Sequence, residues 1–189
     1  MAEDVKDNAD YTKALAITAF LLAYPDEAWW QDFPEWRKAV QEVRMPQARE
    51  LLGEFCDYVA DLGREEYEAA YVRDFDFSQN TNLYLTNHDR TDFGKQSEEM
   101  QRYKVLFLQN GFDVDKELPD YLPALLELAA AIPAGKAREV LATAKPKMEL
   151  LRSRLVEAKM AQTFLVDVAL MEAAGLEAMC SSTAPPQAK

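Results

Sequence analysis

An all-α fold, a single-domain bundle of about eight or more helices, is what this sequence predicts, on three observations. Ala, Leu, Glu, Lys and Arg recur throughout the 189 residues while Gly numbers only 6 and Pro 9, and the former lose least on entering a helix. Apolar residues return at three- and four-residue intervals, with almost no sustained alternation of period two. Capping residues and Gly or Pro stops divide these runs into helix-length pieces. A hydrophobic share of 49%, of which the aromatic residues are 11% of the chain, is enough to fill one core, and the length suits one domain.

The elements follow in order. Residues 1–10 are expected to be a disordered acidic start, 11–180 the helical domain and 181–189 a disordered tail rich in Pro and small polar residues. Asp10 is placed to cap a helix carrying Leu15, Ala19 and Leu22, which Pro25-Asp26 closes while opening the next. That second helix carries Trp29, Trp30, Phe33, Trp36, Val40 and Val43 and is expected to be interrupted at Pro34. From Pro46, Leu51, Leu52, Phe55, Val59 and Leu62 share one face up to Gly63. Tyr67, Ala70, Tyr71 and Phe75 form another such face. A polar stretch, Asp76 to Asn80, then leads to the short apolar piece Leu83-Tyr84-Leu85 and a loop from His88 to Gly94. Helical spacing resumes at Met100, Tyr103 and Phe107 and stops at Asn110-Gly111; a linker, Gly111 to Glu117, follows. Glu117-Leu118-Pro119-Asp120 reads as a helix start with Asp120 as its N-cap, and Pro123 is tolerated in the first turn. That helix ends at Pro133. A short helix, Lys136 to Thr143, precedes a long one from near Pro146 through Leu151, Leu155, Phe164, Leu165, Val168 and Met171 to Gly175.

Composition narrows the function. Lys and Arg total 21 against 33 Asp and Glu, a net charge of -12, and such a field repels phosphate backbones and anionic membranes while speeding the arrival of a basic peptide. No nucleic-acid partner is expected. The acidic start lacks the pattern of a signal peptide, and no run approaches the ~20 apolar residues of a membrane span, so no membrane insertion and a cytoplasmic location are expected. Cys56 and Cys180 are far apart and without CxxC spacing, the usage of a reducing compartment, and Cys56 reads as a packed, inert thiol. One His, His88, and two isolated cysteines cannot form a zinc site. No phosphate-cradling Gly-rich loop and no GxSxG elbow is present. Carboxylate pairs such as Asp74 with Asp76, or Glu117 with Asp120, read as turns, caps or solvated faces, because nothing implies raised pKa values. An enzyme is unsupported, and neither a metal nor a cofactor of its own is expected.

What a helical bundle does not need for packing is the polar but aromatic-rich centre, Tyr71 to His88. Four pieces carry a resemblance: Leu21-Leu22-Ala23-Tyr24-Pro25-Asp26; Tyr71-Val72-Arg73-Asp74-Phe75-Asp76; Thr81-Asn82-Leu83-Tyr84-Leu85 with His88; and Glu117-Leu118-Pro119-Asp120-Tyr121-Leu122-Pro123. In these the sequence resembles the NarJ branch of the TorD/DmsD/NarJ chaperones, in family order and spacing, over roughly Leu15 to Leu170. It departs from the family where Thr91-Asp92-Phe93-Gly94-Lys95-Gln96-Ser97 replaces a Gly-acid-x-Arg-x-Arg-Gly stretch, and where Tyr121 replaces a frequent His.

The resemblance implies a TorD/NarJ-like helical fold. It also implies a chaperone for the catalytic (alpha) subunit of a membrane-bound respiratory nitrate reductase, engaged through that subunit's N-terminal segment and keeping it competent for molybdenum cofactor insertion. A helical segment would lay its apolar side into a groove while its basic residues met the acidic surface. The expected peptide-binding residues are Tyr71, Phe75, Asp76, Leu83, Leu85, His88, Glu117, Pro119, Asp120, Tyr121, Leu122 and Leu126. Tyr71, Phe75, Leu83, Tyr121 and Leu122 are expected to form an apolar floor, with Asp76, Glu117 and Asp120 meeting basic client residues. Ordinary core packing is the competing reading for Tyr71, Phe75, Leu83, Leu85 and Leu122. The alternatives in function are a chaperone or scaffold for another molybdoenzyme or complex, and a small helical hydrolase.

Overall fold

The first helix, α1 (Glu3–Leu22), buries Tyr11, Ala14, Leu15, Ile17, Ala19, Leu21 and Leu22. A helix apolar on nearly all sides belongs at the centre of a bundle, and α1 packs against α6, α8, α2 and α3 in the computed structural model. The structure describes residues 3–76, 78, 80–88, 93–113 and 117–182, with no side chains for 3–10, 76, 93 and 180–182. Asp10 lies within α1 and does not cap it, so residues 3–10, expected to be disordered, belong to the helix. No Gly or Pro breaks the sequence between Glu3 and Asp10, and acidic residues in a first turn complement the helix dipole. Of the tail expected at 181–189, residues 181 and 182 continue the last helix, and 183–189 lie outside the described residues.

Asp26 does cap α2 (Glu27–Ala39), its Oδ1 accepting from the Trp29 amide at 2.8 Å. The helix continues through Pro34, contrary to the expected interruption. Trp29 and Phe33 anchor it, both buried, in a stack that joins Phe20, Trp36 and Tyr67. α3 (Pro46–Leu62) opens on its proline and stops at Gly63, whose φ of +74° and ψ of 169° turn the chain directly into α4 (Arg64–Tyr71). The next residues, Val72–Asp76, widen into a π-helical turn.

A single-turn 3₁₀ helix, Leu85–His88, precedes α5 (Phe93–Gln109), which stops at Asn110 and Gly111. Glu117 to Asp120 is not helical: α6 (Leu122–Ala131) begins after Tyr121, with Pro123 in its first turn. The two helices expected over 136–175 are also divided differently. α7 (Ala134–Glu157) runs through Pro146 and α8 (Thr163–Ser182) runs through Gly175. The break falls at Ala158 to Gln162, where Lys159 takes a left-handed φ of 56° and the Met160 amide returns to the Leu155 carbonyl at 3.0 Å. That 6→1 bond closes the helix without a glycine and lets α7 and α8 pack on one another. The described residues thus hold eight α-helices and no strand, with one isolated antiparallel bridge, Tyr84 to Tyr121.

Candidate functional site

That bridge builds the site. The Leu85 amide donates to the Asp120 carbonyl at 3.0 Å and the Leu122 amide to the Leu83 carbonyl at 2.9 Å, so the central segment and the link before α6 lie side by side. Strand periodicity then operates locally, with alternate residues facing opposite ways. Leu83, Leu85 and Leu122 are buried, while the rings of Tyr84 and Tyr121 lie together outside with centroids 5.1 Å apart.

Beside the bridge is a hollow of about 260 Å³ lined by Tyr24, Tyr71, Phe75, Asn82, Leu83, Tyr84, Glu117 and Tyr121. Tyr71 is fixed by its hydroxyl, which donates to the Leu22 carbonyl at 2.7 Å, and packs against Phe75 at 4.7 Å and edge-on to Tyr24 at 5.6 Å. Tyr24 is 49% exposed, an aromatic ring left facing solvent where α1 ends. At the rim, the Tyr84 hydroxyl donates to Glu117 Oε2 at 2.8 Å. Partial burial, then the hydrogen bond to the Glu117 carboxylate, hold the Tyr84 phenol well above its ordinary value, so it remains a neutral donor.

Of the twelve expected residues, Tyr71, Phe75, Leu83, Glu117 and Tyr121 line this hollow. Leu85, Leu122 and Leu126 are fully buried in the core, and Pro119 is half-buried beside the hollow's Glu117. The Asp76 side chain lies outside the described residues. Asp120 is 0% exposed and caps no helix: its Oδ2 accepts from the Thr86 amide at 3.0 Å and the Thr86 hydroxyl at 2.7 Å, and its Oδ1 is buried without a hydrogen-bond partner. It therefore points into the protein, where the chain turns from the bridge into α6. His88, 1% exposed, is likewise internal, with Nε2–H donating to the Asn82 carbonyl at 2.8 Å and Nδ1 accepting from Arg154.

Five residues of this arrangement were absent from the expected set: Tyr24, Asn82, Tyr84, Thr86 and Arg154. Tyr84 carried a signal, since it sits between Leu83 and Leu85 in a short apolar piece set in a polar stretch. Tyr24 carried a weaker one, an aromatic residue immediately before the Pro25 stop. Arg154 carried none, because 66 residues separate it from His88 on a helix whose exposed face is rich in charge.

The hollow offers aromatic walls and one carboxylate at its rim. Among the described residues no group of three or more His, Cys, Asp or Glu could hold a metal, and His88 has both ring nitrogens engaged. Burial pushes the Cys56 thiol up to about 12, which leaves it a poor nucleophile. Phenol rings with one carboxylate at the rim suit a segment that presents an apolar side chain next to a basic one. No helix among the described residues is long and apolar enough to cross a membrane.

The chain matches the nitrate reductase delta subunit family over residues 41–161, a stretch holding both halves of the bridge. It is similar to a Bacillus subtilis protein described as a probable nitrate reductase molybdenum cofactor assembly chaperone, NarJ, with 38% identity over 136 residues, 71% of this chain and 74% of that one. The NarJ chaperone of Escherichia coli K12 is 30% identical over 159 residues, 82% of this chain and 67% of its own length. A second protein of that strain, NarW, a probable chaperone of the same description, is 28% identical over 162 residues, 85% of this chain and 68% of its own.

Proposed function

Because this chain belongs to the NarJ-type family of nitrate reductase molybdenum cofactor assembly chaperones, we propose that it binds the N-terminal segment of the catalytic subunit of a respiratory nitrate reductase. In this reading it acts in the cytoplasm, catalyses no turnover, and holds the subunit ready for molybdenum cofactor insertion before membrane attachment. The cofactor is the client's cargo, and the chaperone's own task is to hold a peptide.

The observation that carries the proposal is the tyrosine-lined hollow with Glu117 at its rim. An apolar client side chain entering it loses water against Tyr24, Tyr71, Phe75 and Leu83, while a neighbouring Lys or Arg meets Glu117 and the field of a chain of net charge -12.

Calorimetric titration of a synthetic peptide covering the client's N-terminal segment tests it. Tyr84→Ala keeps the backbone bridge and removes one wall, and is expected to cost more than about 1 kcal/mol of binding. Glu117→Gln, at an exposed position, is expected to cost about 0.5–1 kcal/mol. Raising salt should slow association of the unaltered protein more than of Glu117→Gln. Failure of the peptide to bind the unaltered protein, or unchanged affinity in both variants, rejects this site.

A further inference from the structure

The hollow has a wall that no helix supplies. Asn82, Leu83 and Tyr84 belong to segment 80–88, irregular up to its closing 3₁₀ turn, and an irregular stretch keeps one shape only if something outside it fixes that shape. Two anchors do so. One is Asp120, through Thr86. The other is Arg154, in the last turn of α7, whose guanidinium donates to the His88 carbonyl at 2.6 Å, to His88 Nδ1 and to the Asn80 carbonyl at 3.4 Å. Both ends of the segment therefore converge on one side chain. The His88 ring carries the restraint inward, because its Nε2–H holds the carbonyl of Asn82, the residue that begins the wall.

Arg154 has no carboxylate in ion-pair contact among the described residues; every acceptor it reaches is neutral and belongs to this segment. A planar fork of N–H donors fits two acceptors of one residue in a fixed geometry, which the freely rotating donors of an ammonium do not preorganise. Nor does the guanidinium line the tyrosine hollow: it faces a separate cavity of about 480 Å³ with Arg73, Ser78 and Glu157.

We infer that Arg154 and His88 are positioning residues that hold segment 80–88 in its client-ready shape without touching the client. This deepens the peptide-binding reading above and rests on it. Loss of the clasp lets the segment leave the competent shape, and apparent affinity falls in proportion to the competent fraction: a segment ordered about one-tenth of the time binds about tenfold more weakly.

The test pairs hydrogen exchange with peptide titration on the full chain. Arg154→Met keeps the aliphatic stem and removes every donor; His88→Gln keeps one acceptor and one donor. In Arg154→Met the amides of Tyr84, Leu85 and Thr86 are expected to exchange faster. Those of α1, α6 and α8 should hold, the client peptide should bind about tenfold more weakly, and the salt dependence of its association should be unaltered. His88→Gln should stay close to the unaltered protein in both readouts. If Arg154→Met loses helical signal, Arg154→Lys carries the test, with intermediate protection and affinity expected. Unchanged exchange at 84–86 in the folded Arg154 variant overturns the inference, as does faster exchange with unchanged affinity. The site reading fails separately: affinity insensitive to Tyr84→Ala and Glu117→Gln would reject the hollow, whatever the exchange data show of the clasp.

Discussion

Replacing Asp120 by alanine removes the acceptor of two hydrogen bonds inside the protein, those from the Thr86 amide at 3.0 Å and the Thr86 hydroxyl at 2.7 Å. The hydroxyl can turn elsewhere; the amide cannot, and a buried donor left unsatisfied costs about 1–3 kcal/mol. Removing the carboxylate also relieves an existing cost, because Oδ1 is buried without a partner. The net expected loss is about 2 kcal/mol. At 2–4 °C per kcal/mol for a chain of this size, that lowers the melting temperature by about 4–8 °C. Asp120→Asn retains an oxygen where Oδ2 lies and removes the charge, so it is expected within about 1 kcal/mol of the unaltered protein. Urea denaturation with unchanged m-values measures both variants. An alanine variant as stable as the asparagine variant would refute the reasoning. The same pair decides a second point: a carboxylate 0% exposed cannot meet a basic client residue, so folded Asp120→Asn should retain its affinity for the client peptide.

Two further predictions concern positions outside the site. Gly63 has a φ of +74° and ψ of 169°, and a Cβ there would meet nothing within 4 Å; Gly63→Ala is therefore expected to lose about 1–3 kcal/mol from backbone strain alone, and a loss under about 0.5 kcal/mol in chemical denaturation would mean that the α3–α4 junction has another path. Burial raises the Cys56 thiol from its ordinary 9.0 to about 12, so in a Cys180→Ser background it should resist a thiol reagent at pH 8 until the protein unfolds. Because the folded value lies above the unfolded one, stability linked to the neutral thiol is present below about pH 9 and is lost as the pH rises towards 12. Rapid labelling of the native protein would contradict both statements.

Most of the fold was legible because local chemistry and tertiary packing agree at its ends. Asp26 caps, Gly63 and Gly111 turn with positive φ, and Pro46 and Pro123 open helices as their missing N–H groups allow. The discrepancies arise where packing outweighs a local preference. Pro34 and Pro146 sit inside helices whose neighbours Phe33, Lys147 and Met148 are buried. Gly175 continues in α8 between the buried Ala173 and Leu176. The turn at Lys159 has no turn residue to announce it. In the candidate site, residues whose side-chain type suited an apolar hollow separate into liners such as Tyr71 and Phe75 and core residues such as Leu85 and Leu126. The bridge puts Leu83 and Leu122 on one face, yet only Leu83 borders the hollow, a difference that side-chain type does not announce. His88 and Asp120 have the types of ligand-facing residues, but their partners, Arg154 and Thr86, are distant in sequence and invisible to a linear reading.

The bridge between Tyr84 and Tyr121 is made by main-chain groups of Leu83, Leu85, Asp120 and Leu122, and main-chain groups are common to all residues except the donor missing from proline. The outward side chains at 84 and 121 are thus free to change while the framework that presents them remains. On the proposed reading, recognition and architecture are separable at single-residue resolution: a lineage facing a new client could exchange either tyrosine, one codon at a time, and keep a foldable protein at every step.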